Sequence, residues 1–215
     1  MVEATELEVH DLAALLCSRV CHDIISPVGA IINGLEVLEE EDAEEMKEVA
    51  FDLIRKSANQ ASAKLQFARL AFGAAGSAGA EIDLADAEKV ARGLMQSEKA
   101  DLSWEAPAAL MAKNRVKLLL NVLLLAISAV PRGGAIKVSV LEPIDAPTFR
   151  FECSGPSARM PPALGRLVPG DIARETIDAH AVQPYYTGLL SRLSRMRVAG
   201  TADGDLVVIT VRPVA

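Results

Sequence analysis

A histidine followed at once by an acid, with a hydroxyl four residues on and a proline five on, lies inside an apolar helical pattern: His22-Asp23-Ile24-Ile25-Ser26-Pro27. A neutral imidazole nitrogen can attack phosphorus, and histidine titrates near neutrality, with an unperturbed pKa of about 6.5. Asp23 is placed to orient the other ring nitrogen or to accept its proton. Ser26, one turn on, is placed to hydrogen-bond a phosphoryl oxygen or a water. An imidazole held on the outside of a helix is one way to carry a phosphoryl group. The plainer alternative is an ordinary exposed histidine followed by a helix kink.

The helix that must position this group can be phased from spacing. Leu12, Leu16, Val20, Ile24, Val28, Ile31, Leu35 and Leu38 recur at steps of three and four, the signature of an apolar stripe. His22 is two residues from both Val20 and Ile24, and at about 100° per residue it points away from that stripe. Its helical neighbours Ser18, Arg19, Ile25, Ser26, Gly29 and Asn33 are mostly small or polar. Ser18, Arg19, Ile25 and Gly29 are therefore the expected docking surface for another protein, with Leu15 and Ile25 adding apolar contact. Pro27 removes a backbone donor and is expected to bend the helix one turn beyond His22. His10 and His180 lack such surroundings and read as surface or packing residues. Cys17 and Cys21 sit at i, i+4 beside His22, but a fourth metal ligand is not evident, and three cysteines do not suggest a disulfide framework. They read as small packed side chains, and no metal site is expected.

The first helix should run from about Glu6 to Glu39, with Glu39-Glu40-Glu41-Asp42 making the turn into a second. There Met46, Val49, Leu53, Ala61, Leu65, Ala68 and Phe72 fall at core spacing. Gly73-Ala74-Ala75-Gly76-Ser77-Ala78-Gly79 reads as a linker, dividing a helical hairpin, 1–75, from a second domain, 80–215. Two such helices cannot bury their apolar faces alone. A homodimeric four-helix bundle is expected; the linker makes packing back on the C-terminal half the less favoured solution. Beyond it the pattern alternates: strands at 82–84, 102–105, 136–141, 149–153 and 206–211, helices at 85–98, 113–130 and 185–196. The fold class expected is α+β, a helical hairpin followed by an α/β sandwich built with hairpins rather than a parallel βαβ series.

The chain has 215 residues, 51% of them hydrophobic, and a formal net charge of −7. That composition supports a real core and argues against a nucleic-acid partner, which usually demands a basic patch. The acidic start Met1-Val2-Glu3-Ala4-Thr5-Glu6 lacks the basic opening of a signal peptide. The apolar run Leu118 to Val130 is interrupted by Asn121 and Ser128 and is shorter than the roughly 20 residues a bilayer requires. A cytoplasmic protein with no membrane partner is expected.

The histidine box resembles the phosphoacceptor box of sensor histidine kinases. Asn121-Val122-Leu123-Leu124-Leu125-Ala126, running on to Pro131-Arg132-Gly133-Gly134-Ala135-Ile136-Lys137-Val138, resembles the segment that carries their ATP-site asparagine box and the following strand. The departures concern the nucleotide. Leu125 stands where the kinases have an asparagine that coordinates ATP-bound magnesium, and it cannot ligate a hard cation. Cys153-Ser154-Gly155-Pro156-Ser157 matches an Asp-x-Gly-x-Gly pattern, with cysteine replacing the adenine-reading aspartate and serine the second glycine. Only Thr187-Gly188-Leu189-Leu190 faintly resembles the glycine-rich phosphate loop. The resemblance thus implies a degenerate histidine-kinase ATPase domain that binds no ATP. The runs Asp11 to Asp23 and Leu65 to Gly76 are similar to the alphaproteobacterial ChpT family of dimeric, pseudo-kinase histidine phosphotransferases. What that implies is a relay: His22 takes a phosphoryl group from the receiver domain of a CckA-like hybrid kinase and passes it to CtrA-like and CpdR-like response regulators. The receiver supplies Mg²⁺ and this chain binds no cofactor. The rival readings are an authentic histidine kinase and a non-enzymatic dimeric scaffold.

Overall fold

The computed structural model describes residues 7–40, 43–73, 80–170 and 177–214. Glu6, the turn residues Glu41 and Asp42, and residues 74–79 of the expected linker lie outside the described residues. Helix α1 (Val9–Glu39) holds Pro27 within it, and α2 (Lys47–Ala71) follows a short 3-10 turn, Ala43–Met46. The two helices pair antiparallel. Near the turn Gly34 lies against Ala50 and Ile54, where an added Cβ would come within 2.7 Å of the Ile54 side chain. Far from the turn, Asp23 meets Lys64.

Within one chain this hairpin buries mainly small groups: Pro27 and Gly34 from α1, and Ala50, Ser57, Ala61, Phe67 and Ala71 from α2. The expected stripe on α1 is half-buried at Leu12, Leu16, Val20, Ile24, Ile31 and Leu38, and exposed at Val28 and Leu35. On the second helix the expected positions divide: Ala61 is buried and Ala68 and Phe72 half-buried, whereas Met46, Val49, Leu53 and Leu65 are exposed within one chain. Alanines and Ser57 let the helices approach closely, so the larger side chains are left on the outside, free for another surface.

The C-terminal body is a five-stranded mixed sheet in the order β2-β4-β5-β7-β6, with a two-stranded ladder of β1 (Glu81–Asp83) and β3 (Leu110–Ala112) beside it. β2 (Ala100–Glu105) runs parallel to β4 (Gly134–Leu141), joined through helix α4 (Lys113–Ala129). β5 (Thr148–Ser154), β6 (Met196–Asp203) and β7 (Leu206–Pro213) add antiparallel partners. Helices α3 (Leu84–Met95), α4 and α6 (Val182–Leu193) pack on this sheet. Its inner face is apolar at Ile136, Val138, Phe149, Phe151, Val207 and Ile209. Lys137, Arg150 and Glu152 lie on the other face, where Lys137 pairs with Glu105 at 2.8 Å.

Most expected elements are present, with three differences. One strand pair is parallel, so the sheet is not built from hairpins alone. Two elements, β3 and α5 (Pro162–Arg166), are too short, at three and five residues, for a period to register. Edge strand β6 begins at Met196, where the spacing predicts the end of a helix. Its Ala199, Gly200, Thr201 and Ala202 offer little apolar alternation, and Gly200 lies under Met160 and Leu164.

The hairpin does pack back on the C-terminal body, against the expectation from the linker. Phe67 and Ala71 belong to the same core as the sheet. At the end of α2, Asn121 Nδ2 donates to the carbonyl of Ala71 at 3.1 Å and Lys117 Nζ to that of Phe72 at 3.5 Å. Helix ends leave their last carbonyls without intrahelical partners, and side chains of α4 fill that need. Burial pushes the Lys117 ammonium below its ordinary pKa, and Lys113 adds to the effect. A second cluster joins α6 to α1: Val182 and Tyr185 pack with Leu12, Leu15 and Leu16. There the Tyr185 hydroxyl accepts from the Leu7 amide at 3.0 Å.

Candidate functional site

Helix α1 displays His22 with its side chain 62% exposed. Asp23 is turned the other way, toward Arg19, whose Nε donates to Asp23 Oδ2 at 2.8 Å; the second oxygen, Oδ1, lies 3.8 Å from His22 Nδ1. Ser18 and Ser26 are exposed one turn either side of the histidine, and Ile25 is 71% exposed. At Gly29 an added Cβ would meet nothing within 4 Å. All seven expected residues therefore share one region of α1: Ser18, His22, Ile25, Ser26 and Gly29 open to solvent or nearly so, and Arg19 with Asp23 half-buried at its edge. Low side chains around an exposed imidazole leave room for a second protein.

Pro27 does something that its position alone defines. A helical proline has no N–H for the carbonyl four residues back, and that carbonyl belongs to Asp23. Lys64 Nζ, from α2, donates to it at 3.1 Å. The proline thus frees an acceptor next to the phosphoacceptor candidate, and the partner helix takes it. Lys64 was not anticipated, although subtracting four from Pro27 would have marked the acceptor.

His180 was also missed. Its ring stands 5.0 Å from that of His22, at 80° between planes, an edge-to-face contact. The turn that carries it is held by Asp178, whose Oδ1 accepts from the amides of His180 at 2.9 Å and Ala181 at 2.8 Å. The Ala181 amide holds the Asp178 carboxyl below its usual value against an opposing desolvation, and the His180 amide adds a smaller pull in the same direction as Ala181. Nothing in the local sequence announces this contact, since the two histidines come from opposite ends of the chain.

The residues matched to a nucleotide site are engaged otherwise. Asn121 is 0% exposed. Its Nδ2 donates to the carbonyls of Ala71 and Lys117, and its Oδ1 accepts from Gln183 Nε2 at 3.1 Å. Gln183 also meets Asn121 O and Thr187 Oγ1. Leu125 and Cys153 are buried, and desolvation pushes the Cys153 thiol up to about 12. Thr187-Gly188 lies inside α6 rather than in a loop. An added Cβ at Gly188 would fall 2.1 Å from the Val168 carbonyl, so this glycine serves close packing. Among the described residues no group of three or more His, Cys, Asp or Glu side chains is gathered for a metal, and Cys17 and Cys21 are exposed.

A histidine displayed on a helical hairpin and joined to an α/β body fits a phosphotransferase, and comparison with known proteins gives the same class. Residues 84–206 match the family model described as the histidine phosphotransferase C-terminal domain. The protein phosphotransferase ChpT of Brucella abortus (strain 2308) is 50% identical over 204 residues, 95% of this chain and 96% of that one. A solved structure described as a bacterial phosphotransferase superposes with a TM-score of 0.90 at 47% identity, covering 97% of this chain and 99% of the other. The Acinetobacter baumannii histidine kinase AdeS superposes with a TM-score of 0.45 at 12% identity. The chain belongs to the ChpT family of histidine phosphotransferases, proteins that move phosphoryl groups within a phosphorelay.

Proposed function

We propose that His22 is the phosphoacceptor and that this chain relays phosphate between receiver domains without charging itself from ATP. The observation that carries the reading is the exposure of His22 among low neighbours on α1. A receiver bearing an aspartyl phosphate docks over Ser18, Arg19, Ile25 and Gly29. The lone pair of an imidazole nitrogen forms the N–P bond as the acyl phosphate P–O bond breaks, and the receiver's carboxylate leaves. The ring then sheds its other N–H proton, with Asp23 as the nearby acceptor, while Ser26 is placed to hydrogen-bond a phosphoryl oxygen. The reverse attack by a second receiver's aspartate delivers the group. Phosphoryl transfer of this kind is mostly positioning and charge stabilisation, and the Mg²⁺ it uses belongs to the receiver.

Asn121 and Leu125 do not suit ATP with its magnesium, since one is buried in hydrogen bonds and the other has no ligating atom; no step runs through nucleotide. The homodimer is supported by the apolar residues that the hairpin leaves outside, among them Val28, Ile32, Leu35, Val49, Phe51 and Leu53. Helix α1 is long and apolar enough by composition to cross a bilayer, and a four-helix bundle accounts for that surface without one, in keeping with a cytoplasmic protein. The organisation into a hairpin, 1–75, and a degenerate ATPase-like domain, 80–215, follows the same reading. The family resemblance supplies the partners: a CckA-like hybrid-kinase receiver upstream, CtrA-like and CpdR-like receivers downstream.

The test is incubation with a receiver phosphorylated on its aspartate, in Mg²⁺. Acid-labile label is expected on His22 of the wild type and none on His22→Ala. Label taken from radioactive ATP without any receiver would overturn the relay in favour of a kinase. No label from either source would leave a scaffold.

A further inference from the structure

We infer that His180 is a positioning residue for His22, holding its imidazole from the C-terminal body; the inference rests on His22 being the phosphoacceptor. An exposed histidine on a helix samples several χ1 and χ2 rotamers, yet in-line attack needs one ring orientation. Asp23 does not impose it. Its near oxygen is 3.8 Å from Nδ1, beyond hydrogen-bond reach, and its other oxygen is engaged by Arg19 at 2.8 Å. The edge-to-face contact with His180, at 5.0 Å and 80°, is of the kind that aromatic rings favour.

His180 can exert this hold because it is itself fixed. Asp178 ties down its amide and that of Ala181, and the Val182 amide donates to the Asp178 carbonyl at 2.9 Å. Val182 and Tyr185 then bury against Leu12, Leu15 and Leu16 of α1, less than three turns before His22. The turn is thus clamped to the helix whose histidine it touches. This gives the degenerate domain a task at the reacting atoms: it supplies the wall against which the acceptor ring rests.

Because His180 is exposed, its replacement should not disturb folding. Transfer from a phosphorylated receiver would be timed under saturating receiver for wild type, His180→Ala and His180→Phe. His180→Ala should slow acceptance about tenfold at saturation with the receiver KM unchanged, and His180→Phe, which restores a ring, should recover most of the rate. Side-chain couplings of His22 should report one χ1 rotamer in wild type and His180→Phe and an average in His180→Ala. Wild-type speed in His180→Ala, an equally slow His180→Phe, or a change in KM alone would each overturn the inference. If the wild type takes no label on His22, the phosphoacceptor reading itself fails and this one with it. That outcome is distinct from the others, which all require a labelled wild type.

Discussion

His22 and Asn121 are both polar residues on long apolar helices, and the molecule treats them in opposite ways. His22 is mostly exposed, with one ring against it and a carboxylate just out of reach. Asn121 is sealed from solvent, and its amide joins α2, α4 and α6. A group that reacts must keep a free valence toward a partner, whereas a group that holds elements together must have none left over, because an unpaired buried amide is costly. With His22 as the proposed acceptor, the two residues separate reactivity from architecture on a chain whose kinase-like motifs would otherwise place chemistry at both.

Substitution at each should therefore fail in different assays. His22→Ala should abolish phosphoryl acceptance while leaving the unfolding free energy within about 0.5 kcal/mol, as for other surface changes. Asn121→Ala should cost about 3 kcal/mol, because it strands the Ala71 carbonyl and Gln183 in the interior, yet the folded fraction should still take label on His22. Denaturant titration and a receiver-transfer assay on both variants check this. An unfolded His22→Ala would mean that the helix phase is wrong. Loss of label from a folded Asn121→Ala would return chemistry to the buried site.

A similar contrast applies to Gly188. Were it part of a relic phosphate loop, as the proposed loss of nucleotide binding would have it, a methyl group there would cost little. Inside α6, with the Val168 carbonyl 2.1 Å from the added Cβ, Gly188→Ala should destabilise by about 2 kcal/mol or more. Thermal unfolding of this variant distinguishes packing from a relic loop.

What could be read from sequence divides along the same line. Period alone placed His22 off the apolar stripe, because a single helix obeys one angle per residue, and residue chemistry showed that Leu125 is no metal ligand. On α2 the spacing marks Ala61 but not the equally buried Ala50 and Ser57; small groups carry a weak hydrophobic signal however tightly they pack. The clamp between hairpin and body was illegible. Asn121 reaching Ala71 and His180 reaching His22 are tertiary contacts between distant segments, and no local pattern encodes them. Lys64 lies between these cases, since Pro27 marks the free carbonyl but only the fold says which side chain fills it. Lys64→Met should cost about 1 kcal/mol by leaving the Asp23 carbonyl without that donor. It should also slow transfer less than His22→Ala does, which paired stability and transfer measurements would show. Asp23→Ala should likewise slow transfer by a factor smaller than the loss at His22; an unchanged rate would remove Asp23 from the mechanism.

The smallest effect expected is a titration, and it touches the wall behind His22. The Asp178 carboxyl has its pKa lowered from 3.8 chiefly by the Ala181 amide, then by that of His180. A carboxylate whose folded value lies below its unfolded value adds stability above the unfolded value and loses it as pH falls through the folded one. The turn into α6 should therefore keep its grip through neutral and mildly acid solution and loosen only below the ordinary carboxylate range. Amide resonances of His180 and Ala181 should move together with a midpoint under 3.8, and the His22 ring should follow them, while amides flanking Asn121 stay still because no carboxylate holds that joint, and its ionisable group, Lys117, stays protonated in acid. A midpoint at or above the ordinary value would mean that Asp178 does not cap the turn in solution. His22 would then stand as free as its exposure suggests.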